Sequence, residues 1–226
     1  MTWIIGDIHG CYDELNELLS LLPTEDRLIF VGDYVDRGPH SNKVIERLTQ
    51  ESHRSVFLMG NHESMMLAYY HNPESAEARS WTYWANGGQQ TLESYGFNLD
   101  TPYQDYPESH REFLEKLEIF HEDEEFIVVH AGLRINGERS LTRQNREDLL
   151  WIRLDWIRNE HRWDGKRVFY GHTPAHYING QQNLRLPIKG QRSIGIDTGC
   201  VYGGFLTAVN VKTDELVQVS ARTQYI

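Results

Sequence analysis

Only two cysteines, Cys11 and Cys200, occur in 226 residues, which excludes a disulfide framework. No positively charged start precedes a long apolar segment, so neither a signal sequence nor a membrane span is expected and the chain reads as reduced, soluble and cytoplasmic. Basic residues are scarce, 22 against 33 acidic ones, for a formal net charge of −11. A surface of that sign repels nucleic acid unless positive charge is concentrated locally, so no nucleic-acid binding is expected. Nothing marks a repeat or a second domain. What is present is a chain with 39% hydrophobic residues and alternating strand and helix patterns, enough for one α/β domain over residues 1–226 with a sizeable core.

The chain is organised around Gly32-Asp33-Tyr34-Val35-Asp36-Arg37-Gly38, which follows the apolar run Leu28-Ile29-Phe30-Val31. Such a run, closed by glycine and carboxylates, predicts a buried parallel strand. It delivers polar groups to its carboxyl end, the edge where open α/β sheets bind ligands. Asp33 is the first polar side chain off that strand. A carboxylate has two oxygens and can bridge two cations, and Arg37 close by can fork onto a phosphate.

The same plan recurs on both sides. Thr2 to Ile5 predicts a short strand running into Gly6-Asp7-Ile8-His9-Gly10. Asp7 and His9 then project to one side of extended backbone and offer one cation an oxygen and a nitrogen. Ser55 to Leu58 leads into Gly60-Asn61-His62-Glu63. Helices are expected over Tyr12 to Leu22, ended by Pro23, and over Ser41 to Thr49; their apolar residues Leu15, Leu18, Leu19 and Leu22, then Val44, Ile45 and Leu48, fall on one face. Three strand ends at βαβ spacing, each with glycine and metal- or proton-competent side chains, carry far more weight than any one alone. Further on, Phe126 to Val129 delivers His130, Arg167 to Tyr170 delivers His172, and Ser193 to Ile196 delivers Asp197-Thr198-Gly199. Joined to the first three ends, His130 and His172 read as metal ligands rather than structural imidazoles. The other histidines, His40, His53, His71, His110, His121, His161 and His176, have no such context and are expected at the surface or in loops.

From Glu63 to about Tyr95 the pattern is helical, with a turn at Asn86-Gly87-Gly88 and a stop near Gly96. The aromatics before that turn, Trp81, Tyr83 and Trp84, are expected to pack two helices together, with a lid or substrate platform as the other reading. Residues 98–109, rich in proline, aspartate and tyrosine, read as a surface loop before a helix that turns Phe113, Leu114 and Leu117 inward. Phe205 to Val211 and Leu216 to Ser220 read as an antiparallel pair. Cys11 follows the first strand-end motif and Cys200 the last, which places both near one sheet edge. They are expected to be buried small hydrophobes, with oxidation beside the site as the other reading.

GDIHG, GDYVDRG, GNHE, HAG and GHTP, in this order from Gly6 to Pro174, resemble the motifs of metallophosphoesterases of the phosphoprotein phosphatase family, over most of the chain. LLWIR at Leu149 to Arg153 and IDTGCVYGG at Ile196 to Gly204 are similar to the bacterial and phage branch, which holds the lambda-type serine/threonine protein phosphatase and the symmetrical diadenosine tetraphosphatases. The resemblance implies a single calcineurin-like domain folded as a four-layer α/β/β/α sandwich of mixed sheets; periodicity alone implies only an α/β protein. It also implies two divalent metal ions, manganese first, with iron or zinc as alternatives. Asp7 and His9 would ligate the first, Asp33 would bridge, and Asn61, His130 and His172 would complete the second. Arg37 and Arg153, with Asn61 and His62, would hold phosphate oxygens, and His62 supported by Asp36 would be the general acid. For Arg153 the other reading is a helix-surface salt bridge. Two ions about 3.5–4 Å apart would activate a bridging water for in-line attack on phosphorus, with no covalent phosphoenzyme.

Substrate choice turns on two residues. Asp36 and Glu63 match the protein phosphatases, whereas the symmetrical dinucleotide hydrolases often lack the second aspartate of GDYVDRG, tend to end GNHE in aspartate, and carry a longer insert between HAG and GH. A phosphoserine, phosphothreonine or phosphotyrosine protein or peptide is therefore the expected substrate. A dinucleoside polyphosphate cut symmetrically to two nucleoside diphosphates is the alternative, and an inactive metal-binding scaffold comes third.

Overall fold

The computed structural model describes residues 1–51, 54–180 and 184–226. In chain order the elements are β1 (Thr2–Ile5), α1 (Tyr12–Leu21), β2 (Arg27–Phe30), α2 (Ser41–Thr49), β3 (Ser55–Phe57), α3 (Asn61–His71), α4 (Ala76–Trp81), α5 (Gly88–Tyr95) and α6 (Glu108–Glu115), then β4 (Phe120–Glu122), β5 (Phe126–Val129), α7 (Arg146–Trp151), α8 (Leu154–Asn159), β6 (Arg167–Tyr170), α9 (His176–Asn179), β7 (Ile188–Lys189), β8 (Ser193–Gly195), β9 (Phe205–Asn210) and β10 (Leu216–Ser220). They form two mixed five-stranded sheets, ordered β10-β9-β1-β2-β3 and β4-β5-β6-β8-β7. In the first, β1, β2 and β3 run parallel, β9 is antiparallel to β1 and β10 is antiparallel to β9. In the second, β5, β6 and β8 run parallel, with β4 and β7 antiparallel at the edges.

The strands are apolar on both faces, and the period of two divides those faces between different cores. Ile4 and Ile29 pack with Val128, Phe169 and Ile194 in the layer between the sheets. Their neighbours Trp3, Ile5, Leu28 and Phe30 turn the other way, under Leu15, Leu18, Val44 and Ile45 of α1 and α2. Ile127, Val129, Val168 and Tyr170 likewise turn out from the second sheet to meet Leu149 and Trp156 of α7 and α8. The result is the four-layer α/β/β/α sandwich. The three parallel strands of each sheet end at a common seam, where His130 Nδ1 of the second sheet lies 2.9 Å from the Val31 carbonyl of the first.

Element boundaries follow the sequence pattern closely, with α2 at the expected residues and α5 stopped by Gly96 in the left-handed conformation at φ 74°. Three expectations need correction. Residues 98–109 are not wholly a surface loop, because Tyr103 and Tyr106 are buried against Tyr70, whose hydroxyl meets that of Tyr106 at 2.9 Å. Local composition is polar there, but two rings had a helix face to cover. His110 and His176 are buried rather than superficial: His110 is fixed between the Tyr95 hydroxyl at 2.7 Å and Glu46 at 2.9 Å, while His176 packs on Tyr202. The short edge strands β4 and β7 went unread. His53 lies outside the described residues. Among the described residues no helix is long and apolar enough to cross a membrane.

Candidate functional site

Among the described residues six non-glycine residues have positive φ, and five of them are His9 (46°), Asp33 (55°), Asp36 (71°), Arg37 (69°) and His172 (63°). Left-handed backbone is unfavourable for such residues and persists only where the surroundings enforce it. Here it turns side chains over the sheet edge directly after β1, β2 and β6. Two glycines let the loops close on one another: a Cβ on Gly60 would overlap Asp33 Oδ1, and one on Gly171 would overlap Asp7 Oδ1.

Two groups of potential ligands result, His9-Asp33-His62 and Asp33-His130-His172, each with donor atoms within 4.8 Å of one another. Asp33 belongs to both. Its Oδ2 lies 3.4 Å from His9 Nε2 and its Oδ1 3.4 Å from His130 Nε2. Asn61 Oδ1 joins the second group, 2.9 Å from His130 Nε2 and 2.8 Å from His172 Nδ1.

The outward hydrogen bonds fix the tautomers. His9 Nδ1–H donates to the Val35 carbonyl at 2.9 Å, His130 Nδ1–H to Val31 at 2.9 Å and His172 Nε2–H to Trp151 at 3.2 Å. A carbonyl only accepts, so each inward nitrogen carries a lone pair. Around Asn61 Oδ1, two such nitrogens converge with no hydrogen to share. That arrangement of electron pairs fits a divalent cation with mixed nitrogen and oxygen ligands, and backbone carbonyls are the usual orienting partners of ligand imidazoles.

His62 is built differently. Its Nδ1 lies 2.7 Å from Asp36 Oδ2, and Asp36 Oδ1 accepts from the Trp81 indole at 3.1 Å and the Thr91 hydroxyl at 2.7 Å. Its Nε2 faces the site, 4.0 Å from Asp33 Oδ2. Behind it, Glu63 accepts four backbone N–H groups, those of Tyr34 (2.7 Å), Asp33 (2.9 Å), Gly60 (3.0 Å) and Val35 (3.1 Å). One buried carboxylate thereby holds the loop after β2 against the start of α3.

Burial dominates the electrostatics. It raises Asp33 and Glu63 to about 7 and Asp7 and Asp36 well above the usual carboxylate range. It also drives His9, His62 and His172 well below the ordinary imidazole value, with help from neighbouring positive groups, and His130 to about 4. Neutral imidazoles are what a metal requires. For His62 the Asp36 carboxylate on Nδ1 pulls the other way, because an adjacent anion favours the protonated ring.

Two guanidinium groups reach the seam. Arg37 donates to His9 Nε2 at 2.6 Å, and its guanidinium carbon lies 5.6 Å over the Tyr202 ring. Arg153 is exposed and sits at the N-cap of α8. It donates to the His172 carbonyl at 2.6 Å, so it reaches the site instead of making a helix-surface salt bridge. Asp7 accepts the His172 N–H at 2.9 Å but stands outside both ligand groups. All ten residues singled out, Asp7, His9, Asp33, Asp36, Arg37, Asn61, His62, His130, Arg153 and His172, therefore converge on one seam.

Sequence reasoning named three others without finding what they do in the site. Asp197 is buried and its charge acts on Asp7 and Asp33; it follows β8 just as Asp33 follows β2, so its signal was present. Trp81 and Glu63 act through Asp36 and the backbone, which no local pattern reveals. Trp81 is core, as expected, while Tyr83 and Trp84 are exposed. Cys11 and Cys200 are buried free thiols grouped with Glu14 within 4.8 Å, and Cys11 lies beside the His9 carbonyl at 3.6 Å.

A model of the calcineurin-like phosphoesterases matches residues 1–206. The chain is 30% identical to the asymmetrical bis(5′-nucleosyl)-tetraphosphatase PrpE of Bacillus subtilis, over 98% of this chain and 95% of that protein. It is 29% identical to the protein of the same name from Halalkalibacterium halodurans, over 97% and 93%. A crystal structure provisionally assigned as a diadenosine tetraphosphatase superposes with a TM-score of 0.67 at 23% identity, covering 97% of this chain and 93% of that one; at that identity the likeness is one of fold.

Proposed function

The chain belongs to the calcineurin-like phosphoesterase family of metal-dependent hydrolases, and from that premise we propose that it hydrolyses dinucleoside tetraphosphates unequally, to a nucleoside monophosphate and a nucleoside triphosphate. The observation that carries this reading is the likeness, along nearly the whole of both chains, to proteins named as asymmetrical tetraphosphatases. It displaces the phosphoprotein substrate put first on sequence grounds, and it replaces symmetrical by asymmetrical cleavage. The structure supports the change with a physical reason. Asp36 and Glu63, on which the protein-substrate expectation rested, are fully buried and spent on His62 and on backbone N–H groups, so neither is placed to select a substrate.

In this reading Asp33, common to both groups of donor atoms, would hold two divalent ions together with Asp7 and His9 for the first and Asn61, His130 and His172 for the second. Manganese suits such mixed ligands, with iron or zinc as alternatives. When bound, the two ions supply Lewis acidity and an activated water. The chain's own side chains do the rest. Arg37, Arg153 and Asn61 hold the phosphate oxygens, a task for which forked guanidinium donors are well shaped. His62, oriented through Nδ1 by the Asp36 carboxyl at 2.7 Å, turns Nε2 towards the departing oxygen as its proton donor. Residues 1–226 act as one catalytic domain in this reading.

The test is product analysis by nucleotide chromatography with metal-stripped, manganese-reloaded protein, offered diadenosine tetraphosphate and a phosphoserine peptide side by side. AMP and ATP in equal amounts, lost on chelation, is the expected result. Two ADP would restore symmetrical cleavage, faster peptide turnover would restore the protein phosphatase, and no release from either would leave a silent scaffold.

A further inference from the structure

Among the described residues only three Phe, Trp or Tyr rings are exposed, Tyr83 (55%), Trp84 (79%) and Tyr177 (62%), and all three flank Arg37. Tyr83 and Trp84 lie against each other, ring centroids 5.7 Å apart, at the head of a 3-10 turn, Trp84–Asn86, that leads into Gly87. The Gly87 carbonyl accepts the Arg37 backbone N–H at 3.3 Å. Tyr177 approaches from the other side. Its ring is 4.3 Å from that of His176, which is 5.7 Å from Tyr202, and Tyr202 carries the Arg37 guanidinium at 5.6 Å. Two aromatic arms therefore lead from the same arginine, one through backbone and one through tilted and edge-to-face ring contacts, and both end in water.

Resting on the dinucleotide reading above, we propose that these arms are nucleobase-stacking platforms, one for each base of a dinucleoside polyphosphate whose phosphates lie at Arg37. Scattered apolar side chains at a surface need no explanation, but among the described residues the three exposed aromatic rings all connect to one cationic group. A polyanion with a planar π face at each end has the complementary pattern. Stacking on tryptophan or tyrosine is tolerant of base identity, because every base has such a face. A phosphoserine peptide offers one phosphate and no such pair of rings.

The experiment is steady-state kinetics of manganese-loaded Trp84→Ala and Tyr177→Ala, with diadenosine tetraphosphate and with p-nitrophenyl phosphate. Neither residue belongs to the metal, phosphate or acid machinery. Each variant should raise KM for the dinucleotide roughly 10-fold, leave kcat within about 2-fold and leave p-nitrophenyl phosphate kinetics unchanged. Trp84→Phe and Tyr177→Phe should recover most of the loss. Unchanged KM in both alanine variants of an enzyme that does cleave the dinucleotide overturns the platforms alone. Equal losses on both substrates also overturn them, in favour of a structural role. A wild-type protein inert towards the dinucleotide overturns the proposed function and the platforms with it.

Discussion

The two sheets bring different equipment to the seam they share. After β1, β2 and β3 the chain places three carboxylates, two histidines, an asparagine and an arginine, and secures them with other side chains: Trp81 and Thr91 on Asp36, and Glu63 on four backbone N–H groups. After β5 and β6 it places two imidazoles, each oriented by one main-chain carbonyl. The contrast separates histidines that are chemically alike. An imidazole whose outer N–H goes to a carbonyl turns its other nitrogen inward, and burial keeps that ring neutral with a lone pair for a cation, whereas one bonded to a buried carboxylate is placed to pass a proton. His130 and His172 thus have the build of ligands, and His62 that of an acid.

The largest expected effect tests that division directly. His62→Asn should keep its metal yet lose about 10²–10⁴-fold in kcat on a substrate with a poor leaving group, and far less on an activated aryl phosphate. His130→Ala should instead lower the metal content found by mass spectrometry and depress both substrates alike. If His62→Asn sheds metal as His130→Ala does, the distinction between the two histidines fails.

Stability sharpens the comparison next. Glu63→Ala strands four buried N–H groups on the first side, and urea unfolding should report a loss of about 3–5 kcal/mol; a loss below about 1 kcal/mol would mean the loop after β2 needs no such anchor. Trp81→Phe keeps the buried ring but removes one donor from Asp36. It should cost roughly 10-fold in kcat on poor leaving groups, with metal content unchanged.

The smallest effect is a pH dependence. Asp33 and Glu63 are raised to about 7 by burial. The metal-free folded chain therefore holds more protons than the unfolded chain between the ordinary carboxylate range and about 7, and it loses stability as pH rises through that window. A cation needs Asp33 deprotonated, so its binding strengthens over the same window. The gap in melting temperature between metal-loaded and chelated protein should widen by a few degrees from about pH 5 to about pH 8. A constant gap would show that Asp33 does not titrate there.

Much of the site was legible because a parallel α/β sheet delivers whatever follows each strand to one edge. A short apolar run and a glycine locate the strand end, and the next polar residue is the candidate, which is how Asp33, His130 and His172 were found. Asp197 follows the same rule, at the end of β8, although the sequence reading gave it no role. Trp81 resisted for another reason. Its indole reaches Asp36 across 45 residues of chain, and within its own segment it is one aromatic among three.

By itself the sequence determined the strands that carry the site and the identities of the groups at their ends, because period, turn residues and side-chain chemistry are local properties. Only the tertiary structure decided which nitrogen of each histidine faces inward. It also decided that Asp36 and Glu63 are buried supports rather than substrate contacts, and that the exposed aromatics gather around Arg37. Those outcomes depend on which distant acceptor each group meets when the two sheets close, and no stretch of chain carries its partner's position.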